Sequence, residues 1–210
     1  GNLLPDELLC DTVAQLGITS DTLVVVYGKG CAHTMGACRA QWALMYSGVR
    51  EVRLLDGGFS AWERHGGDVA KAPAVPQAAA RFFSGGAGAC RHDLLATSAE
   101  VAAVSAGSGR GTIVDVRKRG EYEGWLTDNY GFFASAGHIP SAVHQGNWDE
   151  LVQTGENDDL KLRSLQEVAA RWSALGLSAA NGPLIFYCGT GWRSSIAFVL
   201  AHEMGWEAKN

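Results

Sequence analysis

One stretch limits what this chain can fold into more than any other: Leu184-Ile185-Phe186-Tyr187-Cys188-Gly189-Thr190-Gly191-Trp192-Arg193-Ser194-Ser195. Four apolar residues, Leu184 to Tyr187, follow the turn pair Gly182-Pro183, and a short apolar run after such a turn reads as a buried strand. The strand ends at a cysteine. A glycine-bearing loop follows, and Ile196-Ala197-Phe198-Val199-Leu200-Ala201 then reads as a buried helix with a serine near its N-cap.

A loop that closes into a helix N-terminus turns backbone N–H groups inward, and with the positive end of the helix dipole these stabilise an anion. Cys188 stands in that field. A free thiol titrates near about 8.5 and is lowered by helix N-termini and cations, so a resting thiolate and nucleophilic catalysis are expected. The loop residues Gly189, Thr190, Gly191, Trp192 and Ser194 are expected to contact substrate, with Trp192 as a wall of the pocket mouth. Arg193 is expected at the far rim, holding a substrate oxyanion. The plain alternative for Cys188 is a buried structural thiol, against which the Gly-Thr-Gly-Trp-Arg context argues. Cys31 also lies in a glycine-bearing loop but is displaced from its strand end, which makes it a weaker candidate.

Four residues separate Cys188 from Arg193, a C-x4-R spacing. With it, Tyr187-Cys188-Gly189-Thr190-Gly191-Trp192-Arg193-Ser194 resembles the active loop of rhodanese-type sulfurtransferases. Phosphatases with the related loop use a ring one residue longer, which accommodates phosphate, so the resemblance implies a site for a persulfide sulfur. Asp115-x-Arg117, Gly137-His138-Ile139-Pro140 and Leu55-Asp56-Gly57-Gly58-Phe59-Ser60-Ala61-Trp62 look like signatures of tandem rhodaneses. The resemblance therefore covers nearly the whole chain.

It implies ping-pong sulfur transfer without a metal or organic cofactor. Thiosulfate is the favoured donor and 3-mercaptopyruvate the alternative. The opening Cys188-Gly189-Thr190-Gly191 is similar to mercaptopyruvate enzymes, whereas Trp192-Arg193 resembles arginine-bearing thiosulfate enzymes. The implied acceptor is cyanide or a thiol, including a protein thiol. Arg117 is expected to line the pocket, while Asp115 and His138 give structural support. Glu121 stands where thiosulfate-specialised members carry a second arginine, which counts against a two-arginine grip on thiosulfate. A non-catalytic scaffold or binding subunit is the rival from another class. A phosphatase would need the wider ring and a general acid.

The rest of the chain reads as α/β. A helix over 3–16, with apolar residues at 9, 13 and 16, leads to Leu23–Tyr27, read as a strand buried on both faces. Then come a loop over 28–36, a helix at 37–46 and a strand at 49–55. A Pro- and Gly-punctuated segment reads as a linker over 67–93. The second half is read as a helix at 98–105, strands at 112–116 and near 143, a helix at 162–175 and the cysteine strand. The halves repeat: Leu16-Gly17-Ile18 matches Leu175-Gly176-Leu177, Val26-Tyr27 matches Phe186-Tyr187, and Ser47-Gly48-Val49 matches Met204-Gly205-Trp206. We therefore expect two rhodanese-like domains, each a parallel sheet flanked by helices. Residues 1–66 are read as the second half of a silent copy with Gly28 in the place of Cys188, and residues 94–210 as a catalytic copy lacking its C-terminal end.

Bulk properties narrow the partners. A 47% hydrophobic composition supports proper cores, and a net charge of −5 offers no basic footprint for nucleic acid or an anionic membrane. No run approaches the ~18 apolar residues of a membrane span. Five cysteines without pairing or metal-ligand regularity argue for reduced thiols. The expected setting is cytoplasm or mitochondrial matrix, with any targeting segment upstream of Gly1.

Overall fold

The computed structural model describes residues 3–72, 90–128, 135–154 and 160–210. These residues form two compact units, the first of residues up to His92 together with 154–161, the second of 93–153 and 162–210. Most of the expected linker, 73–89, lies outside the described residues.

In the second unit, strands β3 (Thr112–Asp115), β4 (Val143–His144), β7 (Leu184–Tyr187) and β8 (Ala208–Lys209) form a parallel sheet in the order β4-β3-β7-β8. The register sets Asp115 beside both Tyr187 and His144. Parallel pairing brings these strand ends to one edge, the edge where α/β sheets bind ligands. Because β7 is central, Leu184, Ile185 and Phe186 are buried on both faces, as a continuous apolar run requires.

Helices flank this sheet. α6 (Leu165–Ala174) starts at a capping box between Ser164 and Glu167 and buries Val168 and Trp172. α4 (Ser98–Ser105) starts at the equivalent box of Thr97 and Glu100. α7 (Arg193–Glu203) is buried from Arg193 to Ala201, so its core position rather than any amphipathic stripe holds it. Its N-cap is Trp192, without a side-chain cap. The expected serine cap is therefore corrected: Ser194 and Ser195 lie inside the first turn, and Ser195 Oγ donates to the Trp192 carbonyl at 2.6 Å. A short helix α5 (Arg119–Glu123) is not legible as a periodic segment, nor is a two-stranded ribbon of β5 (Val152–Thr154) and β6 (Leu160–Leu162), of which 154–161 belong to the first unit.

In the first unit, α1 (Asp6–Gln15) buries Leu9, Cys10 and Val13 but leaves Leu16 exposed. Strands β1 (Leu23–Val26) and β2 (Glu51–Leu54) pair in parallel, with α2 (Cys31–Tyr46) between them in sequence and α3 (Gly58–Arg64) after them. Two expectations are corrected here. β1 alternates exposed and half-buried, with Leu23 and Val25 largely exposed, so it is not buried on both faces; an apolar run reports what a strand tolerates, not what covers it. The loop expected over 28–36 is only a short bend, because α2 begins at Cys31 after Gly30, whose φ of 78° turns the chain into the helix.

The order α1-β1-α2-β2 matches α6-β7-α7-β8. Four residues lie between Cys188 and the start of α7, but only two between Gly28 and the start of α2. The turn at Gly28 is closed. A Cβ there would lie 2.3 Å from the His33 carbonyl oxygen, and one on Gly58 would lie 2.1 Å from the Gly28 carbonyl oxygen.

Candidate active site

The site lies at the C-terminal edge of the parallel sheet, where β7 hands Cys188 to the loop before α7. Gly191 has a φ of 82°, a conformation glycine adopts without strain, and its N–H points at Cys188 Sγ from 3.1 Å. Ser194 Oγ lies 3.6 Å from the same sulfur. Burial by itself would raise this thiol, but hydrogen bonding at Ser194, the N–H of Thr190 and the charge of Arg193 outweigh it, and the group sits below the usual thiol value. Cys188 is half-buried, whereas Cys10, Cys38 and Cys90 are buried. Burial pushes Cys38 and Cys90 up to about 12 and also raises Cys10. Among these four, Cys188 alone combines access with a stabilised thiolate.

A small cavity of about 60 Å³ opens in front of the sulfur, with Arg117, Glu121, Gly137 and Gly189 in its lining. Segments 126–127 and 135–137 supply further wall, none of it marked by a motif except Gly137. Trp192 and Thr190 stand exposed on the loop.

Arg193 is not at an open rim. Its side chain is buried and meets Glu121 at both ends of the guanidinium, Nη1 to Oε2 at 2.7 Å and Nη2 to Oε1 at 2.8 Å, with Asp128 at 3.7 Å. From there it acts on Sγ through its charge. Glu121 was noted in the sequence only for replacing an arginine. Its partner lies 72 positions away, so only the fold brings them together.

Arg117 is held in the same way. Its Nε and Nη2 bond the Asp115 carboxylate at 3.0 and 2.7 Å, and Nη2 also donates to the Gly137 carbonyl at 2.7 Å. Burial opposes the charge of Arg117, and the bonds to Asp115 more than offset it. Asp115 is fully buried and accepts in addition from the Tyr187 hydroxyl at 2.6 Å. That hydroxyl accepts in turn from the Ile139 N–H at 3.2 Å. Burial and the bond to Asp115 hold the Tyr187 phenol well above its ordinary value, so it stays protonated and donates.

His138 is engaged elsewhere. Its Nδ1 bonds the Tyr122 carbonyl oxygen at 2.7 Å and its ring stacks on Tyr122 at 3.7 Å. Among the described residues no group of three or more His, Cys, Asp and Glu side chains stands ready to hold a metal ion.

A family model described as a rhodanese-like domain matches residues 2–65 and 98–210. The thiosulfate sulfurtransferase YnjE of Escherichia coli is 31% identical over 98% of this chain and 46% of its own length. The sulfur carrier protein TtuD of Thermus thermophilus is 30% identical over 98% of this chain and 70% of its own length. A solved structure of an EanB variant, with ergothioneine covalently linked to a persulfide cysteine, superimposes with a TM-score of 0.83 at 27% identity. That match covers 98% of this chain and half of the EanB chain. This chain thus spans about half the length of YnjE and of EanB. With its family model matched across both units and a loop that cradles a cysteine sulfur, the chain belongs to the rhodanese-like family.

Proposed function

We propose that this protein transfers sulfane sulfur through a persulfide on Cys188. The observation that carries this is the half-buried thiol with its charge stabilised by the N–H groups of a loop too short for a phosphate ring. The Cys188 thiolate attacks the outer sulfur of thiosulfate, sulfite leaves with the electron pair of the broken S–S bond, and Cys188–S–S⁻ remains. An acceptor thiolate or cyanide then takes the outer sulfur and returns the thiolate. The inward N–H groups stabilise the anionic sulfur in both states without having to reorganise.

The names of YnjE and TtuD support a sulfane donor and a protein acceptor, and the persulfide cysteine of the EanB complex supports the covalent intermediate. The first unit serves as scaffold, because the turn at Gly28 has no space for a side chain. Intact-mass analysis after thiosulfate treatment tests the reading. One added sulfur on the Cys188 peptide, absent in Cys188→Ser and discharged by cyanide, is expected. An unmodified Cys188 with thiosulfate and a persulfide with 3-mercaptopyruvate would replace the donor, and no persulfide with either would overturn the reaction.

A further inference from the structure

Behind the loop stands a residue that no motif marks. Asn210 follows β8 and is tied to the body of its unit through its backbone, its N–H donating to the Leu94 carbonyl at 3.1 Å and its carbonyl accepting from the Ala96 N–H at 3.4 Å. Its side chain reaches the active loop at two points. Nδ2 donates to the Gly191 carbonyl at 3.3 Å, and Oδ1 lies 2.5 Å from Ser194 Oγ.

The second contact bears on the nucleophile. An amide oxygen carries no hydrogen, so the proton between Asn210 Oδ1 and Ser194 Oγ belongs to the serine. Ser194 has one hydroxyl proton and two acceptors, Asn210 at 2.5 Å and Cys188 Sγ at 3.6 Å. The shorter contact takes it. Ser194 then turns a lone pair, rather than its proton, toward the sulfur.

We propose that Asn210 is a positioning residue that routes the Ser194 proton away from Cys188, keeping the sulfur less strongly hydrogen-bonded and therefore a better nucleophile. The inference rests on Cys188 being the reacting thiol. A sulfur that receives one hydrogen bond fewer is a stronger base and attacks faster as the thiolate. Among the described residues, Arg193 from α7, Glu121 from α5 and Arg117 after β3 are the charged side chains around the sulfur, with Asp115 bonded to Arg117 and Asp128 near Arg193. Changes at Asn210 leave all of them in place.

The test is the pH profile of Cys188 alkylation by iodoacetamide in the 210-residue chain, which needs no sulfur transfer and so separates this inference from the proposed reaction. Asn210→Ala and Asn210→Leu both remove the acceptor, so the outcome does not hang on one variant folding. Each is expected to move the alkylation midpoint down by about 0.5–1 pH unit, the size of one ordinary hydrogen bond to the charged form. Asn210→Asp, which keeps an acceptor oxygen toward Ser194, is expected to show no downward move. Loosening of the loop through the lost Gly191 contact would act in the opposite direction, weakening the Gly191 N–H bond to the thiolate and raising the midpoint. In a Ser194→Ala background the downward move should vanish. An upward or absent shift, or a downward shift of the same size without the Ser194 hydroxyl, would overturn the proposal.

Discussion

Glu121 and Arg193 form a two-point ion pair at 2.7 and 2.8 Å inside the second unit, tying α5 to the first turn of the helix that closes the cysteine loop. The pair sets both the shape of the loop and the field at its sulfur, so the two can be separated by experiment.

Removing the carboxylate leaves a buried cation. Glu121→Gln is expected to cost about 3 kcal/mol of stability, because breaking a buried two-point pair by removing one partner costs far more than an exposed pair contributes. A lower urea midpoint at unchanged slope measures this. The same variant unmasks the charge of Arg193 toward Sγ, so its alkylation midpoint should fall below that of the parent; an unchanged midpoint would show that Arg193 acts on the loop through shape alone.

Cys188 itself should stay reactive at a pH where ordinary thiols are silent. Alkylation proceeds through the thiolate, and a depressed value keeps that form populated as the pH falls, so the midpoint should lie below the ~8.5 of a free thiol. Cys10, Cys38 and Cys90 shift the other way through burial and should stay unlabelled until the protein unfolds. Peptide mapping after brief labelling at neutral pH distinguishes the sites.

Tyr187→Phe deletes the hydroxyl that links the residue before the nucleophile to Asp115 and to the Ile139 N–H. Leaving those groups with one partner fewer should cost about 1–3 kcal/mol. Persulfide formation is expected to slow without being lost, since no bond to Sγ is removed. A complete loss of persulfide would instead give the hydroxyl a direct part in the chemistry.

The half we read as scaffold should resist repair. Gly28→Cys puts a Cβ against the His33 carbonyl, and forcing such contacts costs about 1–3 kcal/mol. The expected protein is less stable by that amount on thermal or urea unfolding and carries no persulfide at position 28 after thiosulfate. A persulfide there would show that the turn opens into a cradle.

Much of this was readable in order along the chain. The Gly182-Pro183 punctuation, the apolar run and the C-x4-R spacing place a cysteine between a buried strand and a buried helix, because local periodicity and turn chemistry act over a few residues. The repeat around Tyr27 and Tyr187 showed the same supersecondary unit twice. What stayed hidden depends on residues far apart in the chain. The exposure of β1 depends on what packs over it. Glu121 meets Arg193 across 72 positions, Tyr187 meets Asp115 across 72, and Asn210 meets Ser194 across 16. A sequence declares which groups ionise, donate and accept; pairing among them is settled by strand order and helix position, which bring unmarked residues such as Glu121 and Asn210 to the same few ångströms as the sulfur.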